Sequence, residues 1–282
     1  MSDPANANRT FGADLVYKYA ILLVVAAIVL VPLIATALGG FKSLAELRTN
    51  TIGFPKTFDF EAYVSILTGR KFWLYLLNSL VIAFFAVTLT VGLAAMAGFV
   101  FAMPHFRGSD AILSYFTIGL MFPLATAALP LFIKVRDLGL LDTHAGVILP
   151  KIAFGLAISI ILFRRFFKEI PVELAEAAYV DGCSHARFFS SIVLPLSKPI
   201  LATVATIQFV QTWNNYILPL VLMNTEEKYP WPLGIMQFQG EFLAEWNMIL
   251  AFITLTMIPT VLFFLVCQKH IIAGLTSGSV KG

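Results

Sequence analysis

Polar side chains recur at intervals of three and four residues inside one strongly apolar stretch, which is the spacing of a single helical face. These side chains are Gln208, Gln211, Thr212 and Asn215. Trp213 and Asn214 follow on neighbouring faces, and amide and aromatic groups suit the hydroxyls of a polar solute such as a sugar. Hydrogen bonds between packed helices, worth about 0.6 kcal/mol each on average in a membrane, explain the pattern equally well. We predict that this set lines a translocation path, with helix packing as an alternative that does not exclude it.

Residues suited to catalysis or metal binding do not form a site in this sequence. The histidines His105, His144, His185 and His270 are scattered, and neither HExxH nor GxSxG occurs. No GxxxxGK[ST] phosphate loop is present, so the chain has no Walker-type site for ATP. The two cysteines lack metal-ligand spacing. We therefore expect no catalytic residue, no metal site and no cofactor in this chain, and an intramembrane enzyme is disfavoured.

Composition places the chain among integral membrane proteins. Of its 282 residues 59% are hydrophobic and 12% are charged, which leaves too little polar surface to cover a soluble domain. The net charge of +3, without a run of basic residues, gives no indication of a nucleic-acid partner. Membrane lipid is the expected surroundings.

Six charge-poor runs predict an all-α protein with six transmembrane helices, each near the required length of about 20 residues. The runs are Tyr19–Phe41, Leu74–Ala102, Ala111–Ile133, Gly146–Phe163, Pro199–Met223 and Trp246–Gln268. Only Lys151 places a charge inside a run, and we expect its side chain to snorkel to the surface. Kinks are expected at Pro32, Pro123, Pro130 and Pro259. The first run is too long for a cleaved secretory signal, so the chain is predicted to keep it.

One long polar segment, residues 171–199, separates two of these runs. Pro171 suits the first position of a helix, and Gly182 ends that helix. Ser184 is a good cap for a second helix from His185 towards Leu194, before two prolines precede the next run. The pattern predicts a short helix-turn-helix on one side of the membrane, called here the 171–199 hairpin.

The spacing of this segment resembles the EAA loop of binding-protein-dependent ABC importer permeases. A bare Glu-Ala-Ala is ordinary helix sequence, but here the glycine and the Ile-Val-Leu-Pro run stand in register with it. The resemblance implies that residues of the hairpin couple the permease to a cytosolic ATPase. These residues are Glu176, Ala177, Ala178, Asp181, Gly182, Ile192, Leu194 and Pro195.

Further stretches resemble carbohydrate-uptake permeases of the maltose type, smaller subunit. They are Thr212–Tyr216, Pro232–Gly234 and the C-terminal tail from Gln268 to Gly282. The resemblance implies a sugar or sugar-like substrate, a second related permease subunit, two ATPase subunits and an extracytoplasmic solute-binding protein. ATP and Mg would be bound by the ATPase subunits. The family's location is the bacterial inner membrane.

Two outer loops are too long to be simple links. The loop Lys42–Lys71 looks ordered and is expected to lie on the outer surface. The loop Asn224–Glu245 is predicted to contact the binding protein, as the corresponding family loop does, although an aromatic membrane belt explains its tryptophan equally well. The predicted contact residues are Trp231, Gln237, Phe238 and Gln239.

These elements predict three segments: residues 1–72 with the first span, a permease core at 73–268, and a cytosolic tail at 269–282. Charge bias does not orient the chain, because a cytosolic hairpin puts ten basic residues inside and nine outside. A stand-alone secondary transporter or channel, and a membrane scaffold or sensor, remain alternatives. Neither explains the register of the hairpin, and coupled secondary transporters usually carry ionisable residues inside the bilayer.

Overall fold

The structure is a computed structural model that describes residues 4–103, 107–240 and 243–276. Within these ranges the regular elements are helices, and a single bridge between Gln239 and Ala244 is the one β pairing. The α-helices are α1 (Pro4–Gly39), α2 (Leu44–Thr49), α3 (Glu61–Thr68), α4 (Arg70–Ala102), α5 (Ser109–Gly119), α6 (Leu124–Asp137), α7 (His144–Phe167), α8 (Val172–Val180), α9 (His185–Phe188), α10 (Leu194–Leu196), α11 (Lys198–Trp213), α12 (Ile217–Leu222), α13 (Trp231–Gly234) and α14 (Trp246–Thr276). A π-helix covers Phe189–Val193, and 3₁₀-helices cover Glu226–Lys228 and Ile235–Phe238. The all-α prediction is confirmed.

Four of the described helices are long and apolar enough to cross a membrane unbroken. They contain Leu15–Gly39, Arg70–Ala102, His144–Phe167 and Trp246–Lys269. Two further helix pairs meet the same criteria but are bent, by 102° between α5 and α6 and by 78° between His185–Leu196 and α11. Counting each bent pair as one span gives up to six, but the second pair begins at His185 and not at the predicted Pro199, so the predicted count and bounds stay a prediction.

The predicted third span is wrong in one respect, because it is not continuous. Helix α5 ends at Gly119, and Pro123 has an extended backbone with φ −70° and ψ 133° before α6 begins. Proline lacks an N–H and disfavours helix in the residue before it, so the break falls where the sequence removes a helical hydrogen bond. Pro130, by contrast, lies inside α6.

The predicted fifth span is also interrupted. Helix α11 stops at Trp213, and the chain becomes helical again only at Ile217. The Asn214 side chain donates to the carbonyl of Val210 (3.0 Å), and the Asn215 Oδ1 accepts the N–H of Leu218 (3.1 Å). Asparagine side chains compete with the helical backbone in this way, which accounts for the interruption.

Contacts divide the chain into two compact units. The first comprises Met1–Gly69 and Ile235–Leu255, and the second comprises Arg70–Gly234 and Thr256–Gly282. The predicted boundaries at residues 72 and 268 follow the linear sequence and stay a prediction. The tail beyond residue 276 lies outside the described residues.

In the first unit, the loop predicted to be ordered is built around Phe41. Its ring lies 4.5 to 5.5 Å from the rings of Phe58, Phe60 and Tyr63. The Tyr63 hydroxyl donates to the carbonyl of Ala37 (2.7 Å), and the buried ammonium of Lys42 donates to the carbonyl of Asn50 (2.7 Å). These contacts confirm that Lys42–Lys71 is an ordered segment.

In the second unit, α4 packs closely on α7. A Cβ atom added to Gly98 would lie only 2.6 Å from the Cβ of Phe163, so the glycine permits this approach. Small residues at helix contacts are typical of membrane proteins. Phe163 is fully buried and stacks on Phe167, 5.6 Å away, in the apolar cluster that also contains Phe188 of α9. The core of the second unit therefore extends directly beneath the 171–199 hairpin.

Candidate functional site

The turn of the 171–199 hairpin is a Schellman motif. The Gly182 N–H donates to the carbonyl of Tyr179 (3.0 Å), and the Cys183 N–H donates to the carbonyl of Ala178 (2.9 Å). Gly182 has φ 75°, a conformation that a side chain disfavours. The predicted positive φ is therefore present, and the requirement for glycine stays a prediction. Pro171 occupies the cap position just before α8, one residue earlier than predicted.

The second arm of the hairpin begins as predicted. The Ser184 hydroxyl accepts the N–H of Arg187 (3.4 Å) at the start of α9. The arm then passes through a π-helical turn to α10. At Ser197, which is fully buried, the hydroxyl donates to the carbonyl of Val193 (2.6 Å), and the chain turns into α11. The hairpin is thus joined to α11 by a tightly packed bend and not by a loose linker.

A hydrogen bond joins the two arms. The Tyr179 hydroxyl lies 2.6 Å from Nδ1 of His185, and the Tyr179 ring also contacts Phe188. The same hydroxyl lies 3.9 Å from the sulfur of Met103, at the end of α4. Burial raises the pKa of the Tyr179 phenol, so this group stays neutral around pH 7. The contact fixes the angle between the arms.

The hairpin has one packed face and one exposed face. Ala178, Phe188 and Val193 are buried, and Ile192 and Leu194 pack against the same apolar cluster. The opposite face is exposed and partly apolar, with Val180 87% exposed. Among the predicted coupling residues, those on exposed positions are Glu176, Ala177, Asp181, Gly182 and Pro195. Five of the eight predicted coupling residues are therefore exposed, and the other three help to hold the hairpin.

The predicted polar stripe of α11 has two distinct parts. Gln208 is 2% exposed, and its amide donates to the Ser159 hydroxyl (3.0 Å) and the Gly155 carbonyl (3.3 Å) on α7. Trp213 is also buried, and its indole N–H donates to the carbonyl of Thr256 (3.1 Å). These side chains connect helices within the second unit, as the packing alternative proposed.

The remaining polar residues lie around the interruption after α11. Gln211 and Asn214 are exposed, Asn215 is half-buried, and Thr212 is buried beside them. Unwound backbone between two half-helices is where many transporters bind their substrate. That these residues line a translocation path stays a prediction.

Lys151 does not snorkel as expected. Its side chain is 7% exposed, and its ammonium donates to the main-chain carbonyl of Gln211 (3.2 Å) near the C-terminal end of α11. The terminal carbonyls of a helix lack intrahelical partners and carry partial negative charge, which attracts a cation. Lys151 is therefore turned inward by the broken helix rather than outward by the membrane surface.

The start of the outer loop is anchored by Asp142, a residue that sequence reasoning did not identify. The Asp142 carboxylate accepts the N–H groups of Asn224 (3.0 Å) and Thr225 (2.9 Å), the Thr225 hydroxyl (2.5 Å) and the Lys228 ammonium (2.8 Å). Lys228 and Thr225 hold the pKa of this carboxyl well below its usual range. Asp142 has φ 56°, which permits the turn that directs its side chain at the loop. An aspartate in a Leu-Asp-Thr turn was the available signal.

A row on α4 holds the same part of the loop. Glu226 accepts hydrogen bonds from the Lys71 ammonium (2.6 Å) and the Tyr75 hydroxyl (2.7 Å), which lower its pKa. The Asn78 amide donates to the carbonyls of Glu227 (2.8 Å) and Tyr229 (3.0 Å). The signal in the sequence that could have identified this face of α4 is the helical spacing of its polar residues within an apolar run.

The predicted binding-protein contacts lie in different surroundings. Gln237 and Gln239 are exposed, whereas Phe238 is buried, with its ring 5.6 Å from that of Phe252 in the first unit. In the second unit the Trp231 N–H donates to the Ser79 hydroxyl (2.8 Å). The Trp231 indole N–H is buried without a hydrogen-bond partner among the described residues.

Residues 90–277 match the family model described as the binding-protein-dependent transport system inner membrane component. The chain belongs to this family. The match includes the hairpin and the interrupted α11, for which coupling and translocation stay predictions. Membership confirms the prediction that the chain is a permease subunit of a binding-protein-dependent transport system. Such a subunit is not an enzyme.

Individual relatives extend the likeness over nearly the whole chain. A diacetylchitobiose uptake system permease protein of Streptomyces coelicolor is 30% identical over 279 residues, covering 98% of this chain and 91% of that protein. A trehalose transport system permease protein of Mycobacterium tuberculosis is 36% identical over 246 residues, covering 85% and 90%. A solved bacterial ABC transporter involved in alginate import has a chain with a TM-score of 0.79, 24% identity, and coverage of 96% of this chain and 100% of that chain. This last likeness confirms the importer permease fold.

Proposed function

We propose that the chain is a membrane-spanning permease subunit of an ATP-driven importer that moves a sugar or sugar-like solute into the bacterial cytosol. The match of residues 90–277 to the permease family carries the proposal. Relatives at 30% and 36% identity are named for diacetylchitobiose and trehalose, which supports a carbohydrate substrate. The location that follows is the bacterial inner membrane.

Two features indicate the partners: the absence of an ATP-binding motif from the sequence and the exposed face of the 171–199 hairpin. The sequence has no phosphate loop for ATP, so the energy enters through partner subunits. The exposed face of the 171–199 hairpin, with Glu176 and Val180, is the surface proposed to dock on one of two ATPase subunits. A second, related permease encloses the path from the other side, and a solute-binding protein delivers the substrate.

The fold offers a route for coupling between the ATPase and the path. The hairpin is held as one body by the Tyr179–His185 contact and by the apolar cluster around Phe188. The bend at buried Ser197 joins it to α11, which ends at the exposed amides of Gln211 and Asn214. A displacement of the hairpin on ATP binding would thus move α11 as a unit, because packed interfaces shift between discrete arrangements rather than stretch.

Reconstitution with the partner subunits tests this function. The chain is co-purified with its second permease, ATPase and binding protein, and uptake of a panel of labelled oligosaccharides into vesicles is measured with and without ATP. We expect saturable uptake that needs both ATP and binding protein. Glu176→Lys, which reverses a charge on the exposed face, should lower uptake and binding-protein-stimulated ATP hydrolysis more than Glu176→Gln does.

The same assay separates the alternatives. Uptake by vesicles that hold this chain without any ATPase subunit would indicate a stand-alone secondary transporter or channel. Equal uptake and stimulation by the wild type and Glu176→Lys would remove the exposed face of the hairpin from the coupling route.

A further inference from the structure

A buried cation inside a predicted span is not explained by the proposed function. Lys151 lies seven residues after the start of α7, roughly 10 Å along the helix at 1.5 Å per residue. Its side chain is 93% buried, and among the described residues its ammonium donates one hydrogen bond, to the carbonyl of Gln211. In the part of the chain that the structure describes, no carboxylate lies within ion-pair distance of this ammonium.

The contact with α11 offsets only part of this charge. The C-terminal end of a helix carries roughly half a negative charge, so about half of the lysine charge has no counterpart there. A lysine has three donors, and the carbonyl of Gln211 takes one of them. Charged side chains in the bilayer are costly and usually mark a pathway for a solute or an ion.

Lys151 borders a small cavity at the interruption of α11. This cavity of about 10 Å³ is lined by Lys151, Ser79, Thr212 and Asn215 together with four apolar residues. This volume holds about one water molecule and excludes a sugar. The same helix end carries the exposed side chains of Gln211 and Asn214. The ammonium therefore lies 3.2 Å from the backbone of Gln211, a residue predicted to meet the substrate.

We propose that Lys151 is a specificity-determining residue that favours sugars with an acidic group, such as a carboxylate or a sulfonate. The inference rests on the proposed function, because it assigns a substrate class to the same path. An acidic substituent that passes Gln211 and Asn214 experiences the positive potential of the ammonium, whereas a neutral sugar gains nothing from it. Because the Lys151 side chain is buried, salt screens its potential less than that of an exposed cation.

Matched sugars test the proposal in the reconstituted complex. Cellobiose, maltose and trehalose are each compared with their 6-carboxylate derivative, and the ratio of acidic to neutral uptake is measured. The wild type should favour the acidic member of at least one pair. Lys151→Gln and Lys151→Met should lower that ratio by about tenfold, equivalent to about 1.4 kcal/mol, and Lys151→Arg should retain most of it. Lys134→Gln, which removes an exposed cation from neighbouring α6, is the matched control and should leave the ratio unchanged.

The outcomes are distinct. A wild type that takes up every neutral sugar at least as well as its acidic partner would overturn the proposal, even if no Lys151 variant assembled. An unaltered ratio in Lys151→Gln would do the same and leave Lys151 as a helix cap. A complex that is assembled and binds ATP but imports no sugar at all would contradict the proposed function itself.

Discussion

The Tyr179 hydroxyl and Nδ1 of His185 lie 2.6 Å apart and join the two arms of the hairpin across Gly182. The contact involves one residue from each arm, so it sets the angle between them. A displacement of either arm by a bound ATPase would thus be passed to the other.

Tyr179→Phe should loosen the hairpin without removing its packing. The variant keeps the ring contact with Phe188 and loses one hydrogen bond, worth about 1 kcal/mol. We expect a small fall in the thermal midpoint of the purified complex and a larger fall in ATP hydrolysis stimulated by binding protein. Tyr115→Phe, which removes an exposed phenol hydroxyl on α5, is the control and should change neither quantity. Full stimulation in Tyr179→Phe would show that the contact is only local.

Gly182→Ala and Gly182→Val should weaken coupling through backbone strain. A Cβ at this position meets open space, so the cost comes from φ 75° and is about 1–2 kcal/mol for alanine. Valine should cost more because it is β-branched. Both variants should retain less ATPase on purification. Gly139 lies outside the hairpin, with φ 68° and equally open surroundings, so Gly139→Ala is the matched control. This variant should retain as much ATPase on purification as the wild type. Equal losses in both glycine variants would assign the effect to general destabilisation.

Gln208→Leu and Gln211→Leu should have opposite phenotypes. Gln208 is buried against Ser159, and leucine would leave that hydroxyl with one bond fewer, so stability of the chain should fall. Gln211 is exposed, so its replacement should leave assembly intact and change uptake or substrate preference. Thermal midpoints and uptake measured on the same preparations separate the two. Normal uptake in Gln211→Leu would remove this residue from the path.

Asp142→Asn should release the start of the outer loop. The pKa of Asp142 is lowered in the folded chain, so its contribution is present above the usual value for aspartate and is lost as the pH falls towards the folded pKa. At pH 7 the carboxylate is therefore fully engaged. Hydrogen exchange of the Asn224 and Thr225 amides should accelerate about tenfold or more in the variant, because hydrogen bonds to a charged group contribute about 1.5–3 kcal/mol.

Asp137→Asn is the control for this measurement. Within the described ranges Asp137 pairs with its neighbour Arg136 on the exposed end of α6, so exchange at Asn224 should not change. If both variants exchange equally fast, the carboxylate of Asp142 does not hold the loop.

Crosslinkers at Gln237 and Gln239 should capture the binding protein. Both side chains are exposed, whereas Phe238 between them packs inward, so we expect no capture from position 238 in an active complex. Capture from none of the exposed positions would argue against this loop as the docking element.

The sequence by itself determined the class of the protein and the geometry of the hairpin that is proposed to couple it to an ATPase. An apolar run longer than about 20 residues has no stable place outside a membrane, and helix is the form that satisfies its backbone there. The hairpin could also be predicted from the sequence, because Gly182, Ser184 and the prolines act through local backbone geometry. Such determinants lie within a few residues of their effect, and the structure confirmed the positive φ of Gly182 and the cap at Ser184.

Only the tertiary structure decided which polar residues face a neighbour and which stay exposed. Gln208 and Gln211 share one helical stripe in the sequence, yet one is bonded to α7 and the other is exposed, because the position of α7 depends on packing across the whole unit. The inward turn of Lys151 depends on a carbonyl 60 residues away. The Asp142 anchor likewise needs a loop 82 and 83 residues further along the chain. Contacts between residues so far apart in the sequence depend on how the helices pack, and helical periodicity does not predict that packing.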